Sequence, residues 1–304
     1  SCLRHARHQA CKQTGEVSLE VAPELLLSEH AKREVAAILR SDLTLMISRA
    51  EVELLVQTFK VDPALLLDCP FMQPPVLAEQ QTQLPSYAQR QHFILIGNFR
   101  HAPNWDAVLW MKQSIWPLIR ARLPDSELHI YGAYPPPKAT QLHTPKQGFL
   151  IKGWADDAGQ VMRQARVNLA PLRFGAGLKG KLVDALACGT PSVTTSVGAE
   201  GMAGTAPWPQ PLADTPEQLA IKAVELHDNR QQWHDCQQAG FALHNERFDF
   251  TRHADALVAR LQQLRDSLDA HRLANFTGAM LRHHSMKSTQ YMAQWIEAKN
   301  RARE

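Results

Sequence analysis

Three glycines and two lysines in one short stretch form the group of residues best suited to chemistry. The stretch reads RFGAGLKGKLVDALACGTP, from Arg173 to Pro191, and the residues concerned are Gly175, Gly177, Lys179, Gly180 and Lys181. Glycines let backbone N–H groups approach a ligand closely, and lysines add full positive charges beside the start of a helix. The pattern predicts a site for a phosphate or a diphosphate. A tight turn with two solvated lysines is the alternative, and the strand–loop–helix context disfavours it.

The elements that position this loop alternate between short apolar strands and helices. Strands are predicted at HFILIGNF, ELHIYG, GFLIKGW, VNLAPL and PSVTTS. A helix is predicted from Pro103 to about Leu123 with a kink at Pro117, and KLVDALACG is predicted as a helix closed by Gly189. Such alternation predicts an α/β fold with a doubly wound parallel sheet. In that architecture ligands bind beyond the carboxyl ends of the strands, where a loop leaving VNLAPL must lie.

The flanking parts of the chain differ from this block. Ahead of it, one strand and two helices are predicted. The strand LTLMIS leads into a helix that Ser48 caps, with Glu51 completing a capping box. The stretch from Pro70 to Pro85 is rich in Pro and Gln and is predicted as a linker. Beyond about Pro216 the pattern is helical to the end.

Composition argues against a membrane-spanning protein and against a disulfide-linked one. The chain has 304 residues, of which 44% are hydrophobic, enough for a large core. Its longest apolar runs fall far short of the roughly 20 residues that cross a bilayer, and its start does not resemble a signal peptide. The five cysteines are scattered, which favours reduced thiols in the cytoplasm over a disulfide framework. They are Cys2, Cys11, Cys69, Cys188 and Cys236.

Charge is distributed unevenly along the chain. The net charge is +3, and the last 32 residues alone carry five basic and two acidic side chains. Residues 1–15 add three basic side chains and no acid, so the remainder is slightly acidic. A nucleic-acid-binding domain carries its basic stripe on the fold itself, and we therefore predict no nucleic-acid partner.

The segment CLRHARHQAC spaces Cys2, His5, His8 and Cys11 by three residues each, which by residue type suggests zinc. On a helix, each three-residue step turns the side chain back by about 60°, so Cys2 and Cys11 lie on opposite faces. Zinc ligands also usually come in pairs from separate turns. We therefore predict no metal site.

The stretch PLRFGAGLKGKLVDALACGTPSVTTSVGAEGM resembles the donor-binding segment of GT-B glycosyltransferases of family 4. The relevant subgroup has a Gly-x-Gly-x-Lys loop before an Ala-x-Gly-x-Pro turn. The resemblance continues in LIGNFRHAPNWDAVLW and SELHIYG, and more weakly in LTLMISRAEVELL, so that it covers roughly Leu43 to Gly201. It implies a cytoplasmic, retaining, metal-independent transferase in polysaccharide biosynthesis. The donor would be a UDP or GDP sugar, the acceptor a glycan or a lipid-linked molecule, and no cofactor would be needed.

The resemblance also implies a domain organisation. Residues 1–72 correspond to the last part of an acceptor-side α/β domain, which is incomplete, and residues 73–91 to a linker. Residues 92–250 correspond to a Rossmann-like nucleotide-sugar-binding domain, and residues 251–304 to a helical tail. The tail mixes apolar and basic residues. Packing across the cleft against the first domain is favoured over contact with an anionic inner membrane, because five basic residues are few for membrane anchoring. No oligomeric state is predicted.

Ten residues are implied as donor-binding: Gly97, Arg100, Gly153, Trp154, Gly177, Leu178, Lys179, Lys181, Asp184 and Glu200. Lys179 and Lys181, aided by Arg100, would stabilise the charge that the leaving diphosphate gains in the transition state. No catalytic residue is assigned. Trp154 could instead be a structural side chain, and Glu200 a solvated acid.

Two departures from the family pattern affect this prediction. Many members carry two glutamates eight positions apart, and here those positions are Ala176 and Asp184. The Arg and Lys that usually grip the diphosphate correspond to about Asn98 and Asn104. Sugar contacts would then come from backbone amides at Gly177 and its neighbour. Two rival functions stay open: an inactive nucleotide-sugar-binding module, and a sugar-nucleotide epimerase of the same fold.

Overall fold

A computed structural model describes residues 2–301. Two parallel sheets organise the chain: a small one of two strands and a larger one of five strands in the order β5-β4-β3-β6-β7. The strands are β1 (Thr44–Met46), β2 (Leu66–Asp68), β3 (Phe93–Ile96), β4 (Leu128–Tyr131), β5 (Phe149–Gly153), β6 (Val167–Ala170) and β7 (Ser192–Thr194).

Helices connect and cover the strands. They are α1 (Cys2–Thr14), α2 (Pro23–Leu26), α3 (Glu29–Arg40), α4 (Arg49–Gln57), α5 (Ala78–Thr82), α6 (Ala102–Trp110), α7 (Trp116–Arg122), α8 (Pro137–Thr140), α9 (Ala158–Gln164), α10 (Gly180–Ala187), α11 (Ser196–Ala199), α12 (Pro216–Asp228), α13 (Arg230–Arg247), α14 (Phe250–Asp266), α15 (Leu268–Ala274) and α16 (Phe276–Arg301). None of them is both long and apolar enough to cross a membrane, as judged over residues 2–301.

Both faces of the five-stranded sheet are buried, as a doubly wound fold requires. In β3, Phe93 and Leu95 point into a core that includes Trp116 of α7 and Trp233 of α13. Ile94, between them, points to the opposite face, where it packs in a cluster with residues of α9 and α10. The central strand β3 is accordingly a continuous apolar run, whereas β4 alternates between buried Leu128 and Ile130 and half-buried His129 and Tyr131. The predicted parallel α/β fold is confirmed.

A π-helical turn joins α6 to α7 and spans Met111–Ile115. Pro117 follows it, at the start of α7. Because proline lacks an N–H and its ring crowds the preceding turn, the extra residue of the π turn accommodates it without ending the helix. The helix predicted from Pro103 to about Leu123 is therefore present and interrupted where expected.

The first part of the chain holds more structure than the sequence indicated. The structure has α1 to α4 and a second strand, β2, whereas one strand and two helices were predicted. The capping box at α4 was also wrong. Ser48 is the N-cap residue, but its side chain makes no capping bond, and its Oγ is buried without a hydrogen-bond partner. The backbone N–H of Glu51 donates to the Ser48 carbonyl instead.

The helical tail contacts the first part of the chain. The Asn275 side chain donates to the Leu39 carbonyl at 2.7 Å, and Arg272 forms a bidentate ion pair with Asp42. The tail therefore packs against residues at the end of α3, as the packing interpretation predicts. Residues 302–304 of the predicted tail lie outside the described residues. All five cysteines are buried and unpaired.

Candidate functional site

A cavity of about 380 Å³ opens at the carboxyl ends of β3 and β6. The chain leaves β3 toward β4 on one side, whereas β6 lies on the other side, so the cavity is at the topological switch point of the sheet. Fifteen residues line this carboxyl-edge cavity: Ile96, Gly97, His101, Pro103, Asn104, Ala158, Leu172, Phe174, Gly175, Ala176, Leu178, Lys179, Gly180, Lys181 and Asp184. Five of the ten predicted donor-binding residues are among them.

Lys181 is held at the cavity by an asparagine. Its Nζ donates to the Oδ1 of Asn104 at 2.6 Å, and the Nδ2 of Asn104 donates to the Asn98 carbonyl at 3.0 Å. Gly97 makes room for this arrangement, because a Cβ there would lie 2.6 Å from the Asn104 amide nitrogen. The two asparagines, at positions where the resemblance implies Arg and Lys, thus order the loop after β3 and orient a lysine from α10.

The electrostatics at Lys181 favour an anionic ligand. The residue lies in the first turn of α10, where unpaired backbone N–H groups carry partial positive charge. Desolvation lowers the pKa of Lys181 to about 8. The ammonium is therefore still mostly protonated at neutral pH but poorly solvated. A diphosphate would replace the water that this cation has lost.

Asp184 lies one turn further along α10, at the wall of the cavity. The Nε2 of Gln73 donates to its Oδ1 at 3.4 Å, and desolvation raises the pKa of the Asp184 carboxyl. Its carboxylate can accept hydrogen bonds from vicinal hydroxyls such as those of a ribose. Ala176, which also lines the cavity, offers no such acceptor.

A buried ion pair lies beneath the glycine loop, residues 173–180, and joins distant parts of the chain. Both carboxylate oxygens of Glu200 accept from Arg7 of α1, at 2.5 and 2.7 Å. Arg7 is only 4% exposed and also donates to the carbonyls of Gly175 and Leu19. Glu200, predicted as a candidate for sugar or ribose hydroxyls, is therefore occupied by Arg7 and does not line the cavity.

Lys179 belongs to this buried cluster as well as to the cavity wall. Its side chain is 7% exposed, and its Nζ is buried without a hydrogen-bond partner. The pKa of Lys179 is lowered to about 8, mainly by desolvation and also by the charge of Arg7, while Glu200 and Glu51 oppose the shift. The ammonium of Lys179 is thus directed toward the charges under the loop, whereas that of Lys181 is held by Asn104.

Glu51 brings an acid to the loop from α4. It is buried, and a Cβ added to Gly177 would lie 3.2 Å from its Oε2 and 3.3 Å from Cδ1 of Ile47. Gly177 has a φ of +69°, a conformation that L side chains rarely adopt. Gly177 does not line the cavity. Its glycine requirement comes from this close contact with the first part of the chain and from its backbone angle.

The remaining predicted residues lie away from the cavity. The Arg100 guanidinium stacks on the Tyr134 ring at 3.9 Å from the ring centroid. Gly153 ends β5 and Trp154 follows it, and β5 is separated from β3 by β4. Trp154 is 68% exposed, so it is not a core side chain.

A larger concavity, of about 640 Å³, lies at the opposite edge of the sheet. Residues that precede β3 and β4, such as His92 and Glu127, line it. This amino-edge concavity lacks the features that favour a ligand in this fold: no helix N-terminus or glycine loop faces it among residues 2–301. Over the same residues, no group of three or more His, Cys, Asp or Glu side chains is placed to hold a metal ion.

Sequence reasoning missed Arg7, Asn104 and Glu51 as parts of the site. Arg7 lies in a basic segment and its partner is 193 positions away, so no local pattern marks the pair. Asn104 stands at a position where the resemblance implies a cation, and that substitution was the available signal. Glu51 was assigned to a capping box, which assumed that it pointed back to its own helix.

Comparisons with known proteins agree with this geometry. A family model described as "Glycosyl transferases group 1" matches residues 90–229. No curated protein sequence matches the chain. Similar solved structures include a TarM variant from S. aureus in complex with fondaparinux, alpha-GlcNAc-glycerol and UDP. TarM is 12% identical, with a TM-score of 0.63 over 77% of this chain and 46% of that one.

Two further structures show the same likeness. The pneumococcal O-GlcNAc transferase GtfA, in complex with UDP and GlcNAc, is 13% identical, with a TM-score of 0.58 over 86% of this chain and 50% of that one. HepE from Anabaena, in complex with UDP and glucose, is 16% identical, with a TM-score of 0.55 over 82% and 69% of the two chains. The chain spans about half the length of TarM and GtfA. Its fold is α/β of the GT-B type, and residues 90–229 match the group 1 glycosyl transferases.

Proposed function

We propose that this chain binds a nucleotide-diphospho-sugar in the carboxyl-edge cavity and transfers the sugar to a glycan or lipid-linked acceptor. One observation carries the proposal: Lys181, fixed by Asn104 in the first turn of α10, faces a cavity at the switch point of a parallel sheet. A cation, a helix N-terminus and closely approaching glycine backbone together form a site for a diphosphate. The UDP bound in TarM, GtfA and HepE supports this choice of ligand.

Three residues at the cavity have roles in this proposal. Lys181 donates to the diphosphate, and Asp184 accepts from the ribose hydroxyls. When the sugar–phosphate bond breaks, negative charge develops on the leaving nucleoside diphosphate. A preorganised cation with little solvent around it stabilises that charge more strongly than water does. The ammonium of Lys179 lies under the glycine loop, and its charge adds to the positive potential around the diphosphate.

Retention of the anomeric configuration and independence from metal ions are further parts of the proposal. The lysine and the helix N-terminus supply positive charge that a divalent cation supplies in other diphosphate sites. Adding EDTA should therefore leave UDP affinity and turnover unchanged, and restoration of lost activity by Mg²⁺ or Mn²⁺ would contradict this part. Proton NMR of the freshly formed product would report its anomeric configuration.

A second candidate function is a nucleotide-sugar-binding module without transfer activity. The observation that favours it is Ala176, which lines the cavity where the family resemblance implies a glutamate near the transferred sugar. The two candidates share the donor site. They differ in turnover, because only a transferase releases free nucleotide from the sugar donor.

Calorimetric titration tests the donor site. UDP, GDP, UDP-glucose, UDP-GlcNAc and GDP-mannose would be titrated into the chain and into Lys181→Ala. Lys222→Ala, which changes an exposed side chain of α12, is the matched control. We expect binding of one nucleotide class that weakens at least about tenfold in Lys181→Ala and is unchanged in the control. Absence of binding in a folded chain would contradict the proposal. Slow release of free nucleotide from the bound sugar donor would favour the transferase over the module.

A further inference from the structure

A second cavity adjoins the first one. It has a volume of about 230 Å³ and lies between α1, α3 and the loop after β3. We call it the histidine cleft, after the side chains that line it: Arg4, His5, His8, His30, Arg100 and His101. His101, Pro103 and Phe174 line both cavities. A ligand in the histidine cleft would therefore lie next to a donor in the carboxyl-edge cavity.

The histidine cleft is uniformly basic or neutral. Two arginines and four histidines line it, and no Asp or Glu does so within the described part of the chain. The acids nearby already have partners. Asp106 is in a bidentate ion pair with Arg173, and Glu34 accepts from the backbone N–H of Cys2 at 2.6 Å.

The hydrogen bonds of the cleft leave capacity for an anion. Arg4 donates through Nη1 to Nε2 of His101 at 2.7 Å, so His101 is a neutral acceptor in this arrangement. A guanidinium has five N–H donors, and this bond uses one of them. His5 stacks on His30, and His8 stacks on Phe174, each with ring centroids 4.3 Å apart. The first stack joins α1 to α3, and the second joins α1 to the loop after β6, so both imidazoles of α1 are held in place.

Positive potential in the cleft is not neutralised by its own residues. Desolvation lowers the pKa of His101, and the positive charges of Arg4 and Lys181 lower it further. Lys181 belongs to the carboxyl-edge cavity, so the two cavities share one electrostatic field. Bringing an anion into such a field is favourable, and guanidinium groups match the oxygens of a phosphate well.

We propose that the histidine cleft binds a phosphate group of the acceptor, so that the sugar is transferred to a phosphate-bearing molecule. The acceptor role rests on the proposed function, because it requires a donor in the adjoining cavity. Arg4 and Arg100 contact the phosphate, and the imidazoles complete the shell. The shared wall at His101 and Phe174 places the acceptor phosphate beside the reacting end of the donor.

The test measures phosphate binding with the donor cavity filled. Glycerol 3-phosphate is titrated into the chain at saturating UDP, with glycerol as the uncharged control. The variants are Arg4→Gln, Arg100→Gln and, as a charge-matched control on the exposed side of α3, Arg33→Gln. We expect the Kd of glycerol 3-phosphate to rise at least about tenfold in each cleft variant and to stay unchanged in Arg33→Gln. Glycerol should not bind.

A parallel arm distinguishes the source of the phosphate. Vesicles of phosphatidylcholine with and without phosphatidate are sedimented with the chain and with Arg4→Gln. Binding of soluble glycerol 3-phosphate supports a soluble phosphate ester as acceptor. Sedimentation that requires both phosphatidate and Arg4 supports a lipid phosphate. Either result supports a phosphate site in the cleft.

Three results would overturn the proposal. The first is that neither glycerol 3-phosphate nor phosphatidate binds a chain that is folded by circular dichroism. The second is that UDP displaces glycerol 3-phosphate, which would place the probe in the carboxyl-edge cavity. The third is an equal loss of affinity in Arg4→Gln and Arg33→Gln. Phosphate binding by a chain that fails to bind UDP would overturn the proposed function and the acceptor role, but would support the phosphate site.

Discussion

The two faces of the glycine loop, residues 173–180, show opposite uses of charge. On the face toward the carboxyl-edge cavity, Lys181 is oriented by Asn104, a neutral partner, and keeps its charge available for a ligand. On the opposite face, Arg7 and Glu200 form a buried ion pair, and the ammonium of Lys179, whose side chain also lines the cavity, is buried beside them. We infer from this difference that the first face binds the ligand and that the second holds the loop in place.

The energetic consequences differ accordingly. A buried ion pair is strongly destabilised when one partner is removed, because the other charge is left without compensation. Removal of Lys181, which is held by the neutral amide of Asn104, leaves no buried charge without its partner. Removal of Glu200 should therefore lower the free energy of unfolding, whereas the effect that distinguishes removal of Lys181 is a loss of ligand affinity.

Breaking the ion pair between Arg7 and Glu200 should have the largest effect, on the free energy of unfolding. In Glu200→Gln, Arg7 and Lys179 lose their main counter-charge, and we expect a loss of about 3 kcal/mol in the free energy of unfolding. Urea denaturation followed by circular dichroism measures it. Glu225→Gln removes an exposed partner of Lys222 and should cost less than about 1 kcal/mol. An equal loss of unfolding free energy in Glu200→Gln and Glu225→Gln would contradict the structural role of the ion pair between Arg7 and Glu200.

Lys179→Met should raise stability at neutral pH. Because the pKa of Lys179 is lowered from 10.5 to about 8, the folded state disfavours its protonated form. The cost is fully present below pH 8 and is relieved as the pH rises from 8 to 10.5. We therefore expect Lys179→Met to gain as much as roughly 3 kcal/mol at pH 7 and to flatten the rise in stability above pH 8. A destabilised variant at pH 7 would contradict the cost of burying an ammonium that has no hydrogen-bond partner.

Affinity for UDP should fall when the pH rises through about 8. The diphosphate binds the protonated form of Lys181, whose pKa is lowered to about 8, whereas the diphosphate of UDP is already ionised at that pH. We expect a loss approaching about tenfold per pH unit above 8, measured by calorimetry between pH 7 and 9, below the range in which the uracil ring ionises. Lys181→Met should lack this dependence. The same slope in the variant would assign the titration to another group.

Gly177→Ala should have the smallest effect of the set, a destabilisation of about 1 to 2 kcal/mol. The φ of +69° strains any residue with a Cβ, and the Cβ would press on Glu51 and Ile47. Gly180→Ala is the matched control, because nothing lies within 4 Å of its Cβ position. Thermal unfolding compares the two. A harmless Gly177→Ala would show that the loop can move away from α4.

The sequence predicted the five-stranded sheet and the position of the cavity because both depend on local patterns. Short apolar runs define buried strands, and a glycine loop between a strand and a helix marks the carboxyl edge. The strand β2 was missed because it has three residues and ends in an aspartate. Its formation depends on pairing with β1, which lies some twenty residues earlier and which no local signal specifies.

The candidate site was predicted less completely, for the same physical reason. Lys181 and Asp184 were identified from the loop motif, and the structure brings both to one cavity. The roles of Lys179 and Glu200 depend on Arg7, which comes from the other end of the chain. A lysine at a cavity and a lysine buried under a loop have the same local sequence context. Only the tertiary contacts separate them.

The most direct test of the account compares the two lysines. UDP is titrated at pH 7 into the wild-type chain, Lys181→Met and Lys179→Met, and the free energy of unfolding of each is measured in urea. The account predicts that Lys181→Met weakens UDP binding at least about tenfold, whereas Lys179→Met changes it less than about threefold and stabilises the fold. An equal loss of UDP affinity in both variants, or no loss in Lys181→Met, would contradict this assignment, in which one face of the loop binds the ligand and the other face holds the loop in place.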